Sequence, residues 1–129
     1  MRTNLMLAAL LAAFVSYPAN AQLRRTISFD NNCAKGVRVW ISHADGYRNW
    51  HVHGPFNYSS MEGPTRLEDN GVTLTQTDDH AVYIYAESVD GRTVWEGDYP
   101  QQFQGTRFNM MKANTSIRNG QLYISLTCS

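Results

Sequence analysis

The chain has no basic run, no apolar stretch of bilayer length and no catalytic signature, and each gap removes a class of function. Eleven Lys and Arg are matched by eleven Asp and Glu over 129 residues. They are dispersed, so neither phosphate binding through counterion release nor docking to an anionic membrane surface is expected. Gly-x-Ser-x-Gly, a phosphate-cradling glycine loop and His-Glu-x-x-His are all missing, and with them the motif-borne nucleophile, nucleotide and zinc-hydrolase sites. The chain reads as non-catalytic and without a cofactor. Cysteine is scarce: Cys33 and Cys128 are the two present. They are not arranged as Cys-x-x-Cys, which argues against a low-pKa redox pair. A sustained helical stripe is missing as well, so the core has to be built from strands.

Residues 1–21 read as a cleavable secretory signal. Arg2 supplies the positive start, Leu5 to Val15 the apolar stretch, Pro18 the helix break and Ala19-Asn20-Ala21 the small-x-small cleavage site. No cysteine at that site points to a lipid anchor, and no later stretch approaches the ~20 apolar residues of a membrane span. Stable membrane insertion is therefore not expected. Residues 22–129 remain as one domain with one core. Arg2 is the only charge in the leader, so the body carries 10 basic against 11 acidic residues, net −1. A periplasmic or secreted location is oxidising, and there Cys33 and Cys128 are expected to form a disulfide. The loop so closed covers almost the whole domain, for which chain entropy gives roughly 4–5 kcal/mol.

Period-two alternation runs through the body. Ile27 and Phe29 alternate with Thr26 and Ser28; Val37, Val39 and Ile41 with Arg38, Trp40 and Ser42; Val72 and Leu74 with Thr73 and Thr75. Val82, Ile84 and Ala86 alternate with Tyr83, Tyr85 and Glu87, and Phe108 and Met110 with Arg107, Asn109 and Met111. Leu122, Ile124, Leu126 and Cys128 close the series, which puts Cys128 on the inward phase of the last strand. Between the runs lie Ala34-Lys35-Gly36, Asp69-Asn70-Gly71, Asp90-Gly91 and Asn119-Gly120, whose Asp-Gly and Asn-Gly pairs tolerate the positive φ of tight hairpins. The pattern predicts an all-β fold: an antiparallel β-sandwich, or a partly open barrel, with one disulfide.

Trp40, Tyr83, Tyr85 and Tyr123 fall on the phase opposite to the aliphatic residues, forming an outward aromatic stripe if their strands are neighbours. The least regular long stretch, Asp45 to Pro64, carries Tyr47, Trp50, Phe56, Tyr58 and Met61 and is expected to fold over it. Two readings stand: a second, smaller core under this loop, or an open aromatic surface for a partner protein or a sugar, the latter also drawing on Trp95. His51-Val52-His53 places two imidazoles on one side of an extended segment, the spacing of a metal-gripping pair that His43 and His80 would complete. The competing reading is surface or partly packed histidines with no ligand. Asp78-Asp79, Glu68-Asp69 and Glu62 sit beside turn residues, where carboxylates serve backbone hydrogen bonding. Asn57-Tyr58-Ser59 and Asn114-Thr115-Ser116 match the glycosylation pattern and read as ordinary loop sequence.

Several of these residues together resemble a known family. They are Asn31-Asn32-Cys33, the Val37–Ile41 strand, Trp50 with Gly54, Tyr83-Ile84-Tyr85-Ala86-Glu87, Asp90-Gly91, Trp95-Glu96-Gly97 and the terminal strand ending in Cys128. Across about Arg25 to Cys128 the chain resembles the bacterial domain of unknown function 1036 family. Where that family tends to carry a Gly-Trp-Trp-like segment, this chain has Gly54-Pro55-Phe56 after the two histidines. The resemblance implies a small exported or membrane-associated β domain without an established activity, and it transfers no catalytic residue. The expected role is a protein-binding or structural envelope accessory that uses the Asp45–Pro64 aromatics as hot spots. A carbohydrate-binding module is the alternative, and a His-based metal-binding protein is the third reading. The expected partner is thus a protein or a glycan, and not nucleic acid.

Overall fold

The computed structural model describes residues 23–46, 49–77 and 81–128. The expected leader, Tyr47, Asp78, Asp79 and His80 lie outside the described residues. Among the described residues all regular structure is strand, and no helix is long and apolar enough to cross a membrane.

The chain runs through β1 (Arg24–Asn32), β2 (Val37–Ala44), β3 (Trp50–Tyr58), β4 (Thr65–Arg66), β5 (Glu68–Asp69), β6 (Val72–Thr73) and β7 (Thr75–Thr77). It continues through β8 (Tyr83–Ser88), β9 (Val94–Trp95), β10 (Tyr99–Phe103), β11 (Thr106–Lys112), β12 (Asn114–Arg118) and β13 (Gln121–Thr127). One sheet has the order β12-β13-β1-β4, with β7 also on β1. The other has the order β10-β11-β8-β2-β3, with β9 also on β8, and β5 and β6 form a small hairpin. The first sheet buries Ile27, Phe29, Ile124 and Leu126 against Val37, Val39, Ile41, Ile84 and Ala86 of the second. Leu67 and Leu74, on either side of the β5–β6 hairpin, join the same core. The inward members of the β1, β2, β8 and β13 alternations therefore meet, as a β-sandwich requires, whereas Val72, expected inward with Leu74, is 67% exposed at the tip of the β5–β6 hairpin.

Nearly every pairing is antiparallel, but β1 and β13 run parallel, with Asn32 opposite Thr127. Alternation is silent on strand direction. The parallel register places the next residues on each strand, Cys33 and Cys128, side by side with Cα atoms 5.0 Å apart. They form the disulfide across 95 positions. The asparagine–glycine turns close as expected: Asn70-Gly71 and Asn119-Gly120 have φ of 53°, 79° and 52°, 76°, the geometry of a two-residue hairpin turn.

The Asp45–Pro64 stretch departs from expectation, because its middle is the nine-residue strand β3. The alternation is hidden by a bulge. His53 faces Ile41 and Phe56 faces Val39, so Gly54 and Pro55 together oppose the single residue Trp40. Inward positions are thus 51 and 53 before the bulge but 56 and 58 after it. Gly54 is required here: its φ is +146°, and a Cβ would lie 2.7–2.9 Å from Trp40.

The second sheet also curls. β10 folds back into contact with β3, through a Gln104-Gly105 hairpin at φ 50° and 81°. Phe108 and Met110 are buried, yet they stand outside the intersheet core, which takes Met111 from the other face of β11.

Candidate functional site

Residues directly opposite in a sheet share a face. Trp40 pairs with Tyr85, Ser42 with Tyr83 and Ala44 with Trp50, so all six lie on the face turned away from the intersheet core. Ser42 and Ala44 are small and fully buried, and the large rings lean over them: Trp50 and Tyr83 are 6.0 Å apart. The curl brings β10 and β11 over the same face. Phe108 packs on Trp40 at 4.9 Å and on Tyr85 at 5.2 Å, while Tyr99 packs on Tyr83 at 4.4 Å. A second core does form, therefore, but the sheet's own curl encloses it rather than the Asp45–Pro64 segment. Its deep end is Trp40, Tyr85, Phe108 and Met110. Burial raises the Tyr85 hydroxyl above its ordinary pKa, and the Glu87 and Glu96 carboxylates act in the same sense. The other end is open: Trp50 is 39% and Tyr99 47% exposed, with half-buried Tyr83 between them.

Of the seven aromatic candidates, Trp40, Trp50, Tyr83 and Tyr85 thus come together, and three do not. Phe56 packs on the intersheet core. Tyr58 is buried and stacked on Phe29 at 4.6 Å, and burial pushes its hydroxyl pKa upward. Trp95 lies against the core and donates its indole N–H to the Thr127 carbonyl at 3.0 Å. Tyr123 belongs to the other sheet, under the Arg118 guanidinium at 3.9 Å. Tyr99 escapes a sequence reading because Tyr99-Pro100-Gln101-Gln102-Phe103 has no apolar alternation.

The opposite face of the same sheet end holds the histidines. His53 faces Ile41 and His51 faces His43 across β2 and β3, so the three imidazoles stand on one side, as the His51-Val52-His53 spacing implies. Ring centroids are 5.0 Å (His43–His53), 5.6 Å (His43–His51) and 6.2 Å (His51–His53) apart. His43 is 3% exposed, and its Nδ1 lies 2.7 Å from the Thr75 carbonyl. A carbonyl only accepts, so Nδ1 carries the proton and Nε2 a lone pair. That Nε2 is buried without a hydrogen-bond partner. Burial holds the His43 pKa down to about 4, helped by His53 and His51 and opposed by the Thr75 bond and Asp45. His53 Nδ1 donates to Asp69 on the β5–β6 hairpin at 2.7 Å. The group lines a cavity of about 210 Å³. Among the described residues, no three His, Cys, Asp or Glu are arranged to hold a metal ion as they stand.

The carboxylates read as turn residues behave so in part. Glu62 accepts from the Ser59 amide at 2.7 Å, whereas Asp69 serves His53. Compared with known proteins, the chain matches no family model, no curated protein and no solved structure.

Proposed function

We propose that this protein is an exported, non-catalytic binding domain that engages a protein partner through the open aromatic end formed by Trp50, Tyr83 and Tyr99. The observation that carries this reading is the junction of exposed and buried rings. Trp50 and Tyr99 present apolar area to solvent, and a packed aromatic layer holds them in place. Pre-ordered aromatic side chains lose little entropy on binding and dominate interface energetics. The tilt favours a protein over a sugar: successive rings are inclined by 45° and 43°, which makes a stepped surface for a side chain rather than a flat one for a pyranose. Export is supported by the leader pattern and by the disulfide, which oxidising compartments sustain.

Crosslinking and affinity capture from cells exporting the protein tests this. A specific partner should be captured by the wild type and by Tyr123→Ala, whose ring is on the other sheet, and lost with Trp50→Ala/Tyr99→Ala. Identical partner sets for all three proteins overturn the reading. Binding to an arrayed glycan that disappears in the same double variant assigns the surface to sugar instead.

A further inference from the structure

We propose that His43, His51 and His53 form a binding site for a divalent transition-metal ion of the zinc type. The donors are two imidazoles two positions apart on β3 and a third on the adjacent antiparallel strand β2, all on one face. Zinc binds imidazole nitrogen at 2.0–2.1 Å, so three rings around a tetrahedral ion have centroids about 5 Å apart. The His43–His53 pair already has that spacing at 5.0 Å, and the two distances to His51 exceed it modestly at 5.6 and 6.2 Å.

The outer contacts are those a metal site uses. A ligating imidazole commonly donates its second N–H to a carboxylate or a backbone carbonyl, which fixes the tautomer and the ring orientation. His53 does this to Asp69 and His43 to Thr75, so Nε2 of each is left as the free lone pair. For His43 that lone pair is buried and unpartnered, an acceptor without a donor that a cation would satisfy. The two rings are thus anchored through protein acceptors, and His51, whose side chain is exposed, is the one that must turn to complete the set. The cavity leaves a mouth for a fourth ligand such as water, and Asp45 and Asp69 on its wall favour positive charge. An imidazole-only donor set suits zinc, copper(II) or nickel rather than magnesium or calcium. The site is on the opposite face of the sheet from Trp50 and Tyr83, so it and the partner-binding surface fail separately.

The test uses the whole protein, freed of metal by chelation and titrated with zinc chloride by calorimetry and thermal melting, with magnesium as control. The expected result is one zinc per chain and a raised melting temperature, since an ion that binds only the folded state stabilises it. Magnesium should have no effect. His51→Ala changes an exposed residue and should leave the fold intact while weakening zinc at least tenfold; Asp69→Asn should weaken it about 10–100-fold. Nitrogen NMR should show the Nε2 signals of all three imidazoles moving on zinc addition. A melting temperature unmoved by zinc overturns the proposal. So does zinc binding that His51→Ala leaves unchanged, because the ion is then held elsewhere.

Discussion

Asn31 shows what one side chain can specify. It is fully buried; its amide donates to the carbonyls of Lys35 at 3.0 Å and Ser59 at 2.8 Å, and its Oδ1 accepts from the Cys33 amide at 3.1 Å. The one residue therefore shapes the β1–β2 turn, places a disulfide cysteine and ties down the end of β3. Asn31→Leu leaves those backbone groups without partners and should cost about 2–4 kcal/mol of stability, read as a lower urea midpoint at unchanged slope. Gly54→Ala should be damaging for a different reason. Its Cβ would strike Trp40 from a backbone conformation that L-residues avoid, so a loss of about 1–3 kcal/mol is expected, with a change in tryptophan fluorescence. Asp90 supplies the pH-dependent case. The Ser88 hydroxyl and the Arg92 amide, with Lys35 beside it, hold its carboxyl down to about 2. A depressed carboxyl pKa stabilises the folded state above the ordinary value of about 4 and loses that contribution as pH falls towards 2. Asp90→Asn should therefore flatten the decline in melting temperature across that window.

At the scale of the element, a strand is legible where its alternation is unbroken and both faces differ in polarity. The residues of β1, β2, β8 and β13 meet that condition, and the asparagine–glycine turns supply the conformation that hairpins need. The strand β3 was not legible, since the Gly54-Pro55 bulge moves its inward phase from odd to even positions. The strand β10 lacks alternation altogether, and its hairpin uses Gln104-Gly105 where asparagine is the usual signal. That turn can be improved: Gln104 stands at φ 50°, which asparagine tolerates better, so Gln104→Asn should stabilise by about 0.5 kcal/mol. A thermal melt with a rise of a few degrees would show it.

For the whole molecule, the disulfide joins the ends of the parallel β1–β13 pair at the centre of one sheet. Cys33→Ser/Cys128→Ser removes a constraint on a loop of 95 positions and should lower stability by about 2–5 kcal/mol, measured by denaturant unfolding beside the reduced wild type. The candidate sites were legible in pieces. Outward phase identified Trp40, Tyr83 and Tyr85, and spacing identified His51 and His53. Membership beyond that required tertiary geometry: the curl of the second sheet adds Tyr99 and Phe108 to the aromatics, and the β2–β3 register sets His43, already a candidate to complete the pair, beside His51 and His53.

Period-two hydrophobicity, glycine-bearing turns and two well-separated cysteines are enough to demand a β fold with a cross-link, because each acts through local backbone preference or through burial of one strand face. Direction, register and curvature belong to the folded molecule, since they depend on which distant segments pair. Those choices set β1 beside β13, and they decide which aromatics are packed and which meet solvent. They also gather three imidazoles around one buried, unpaired nitrogen.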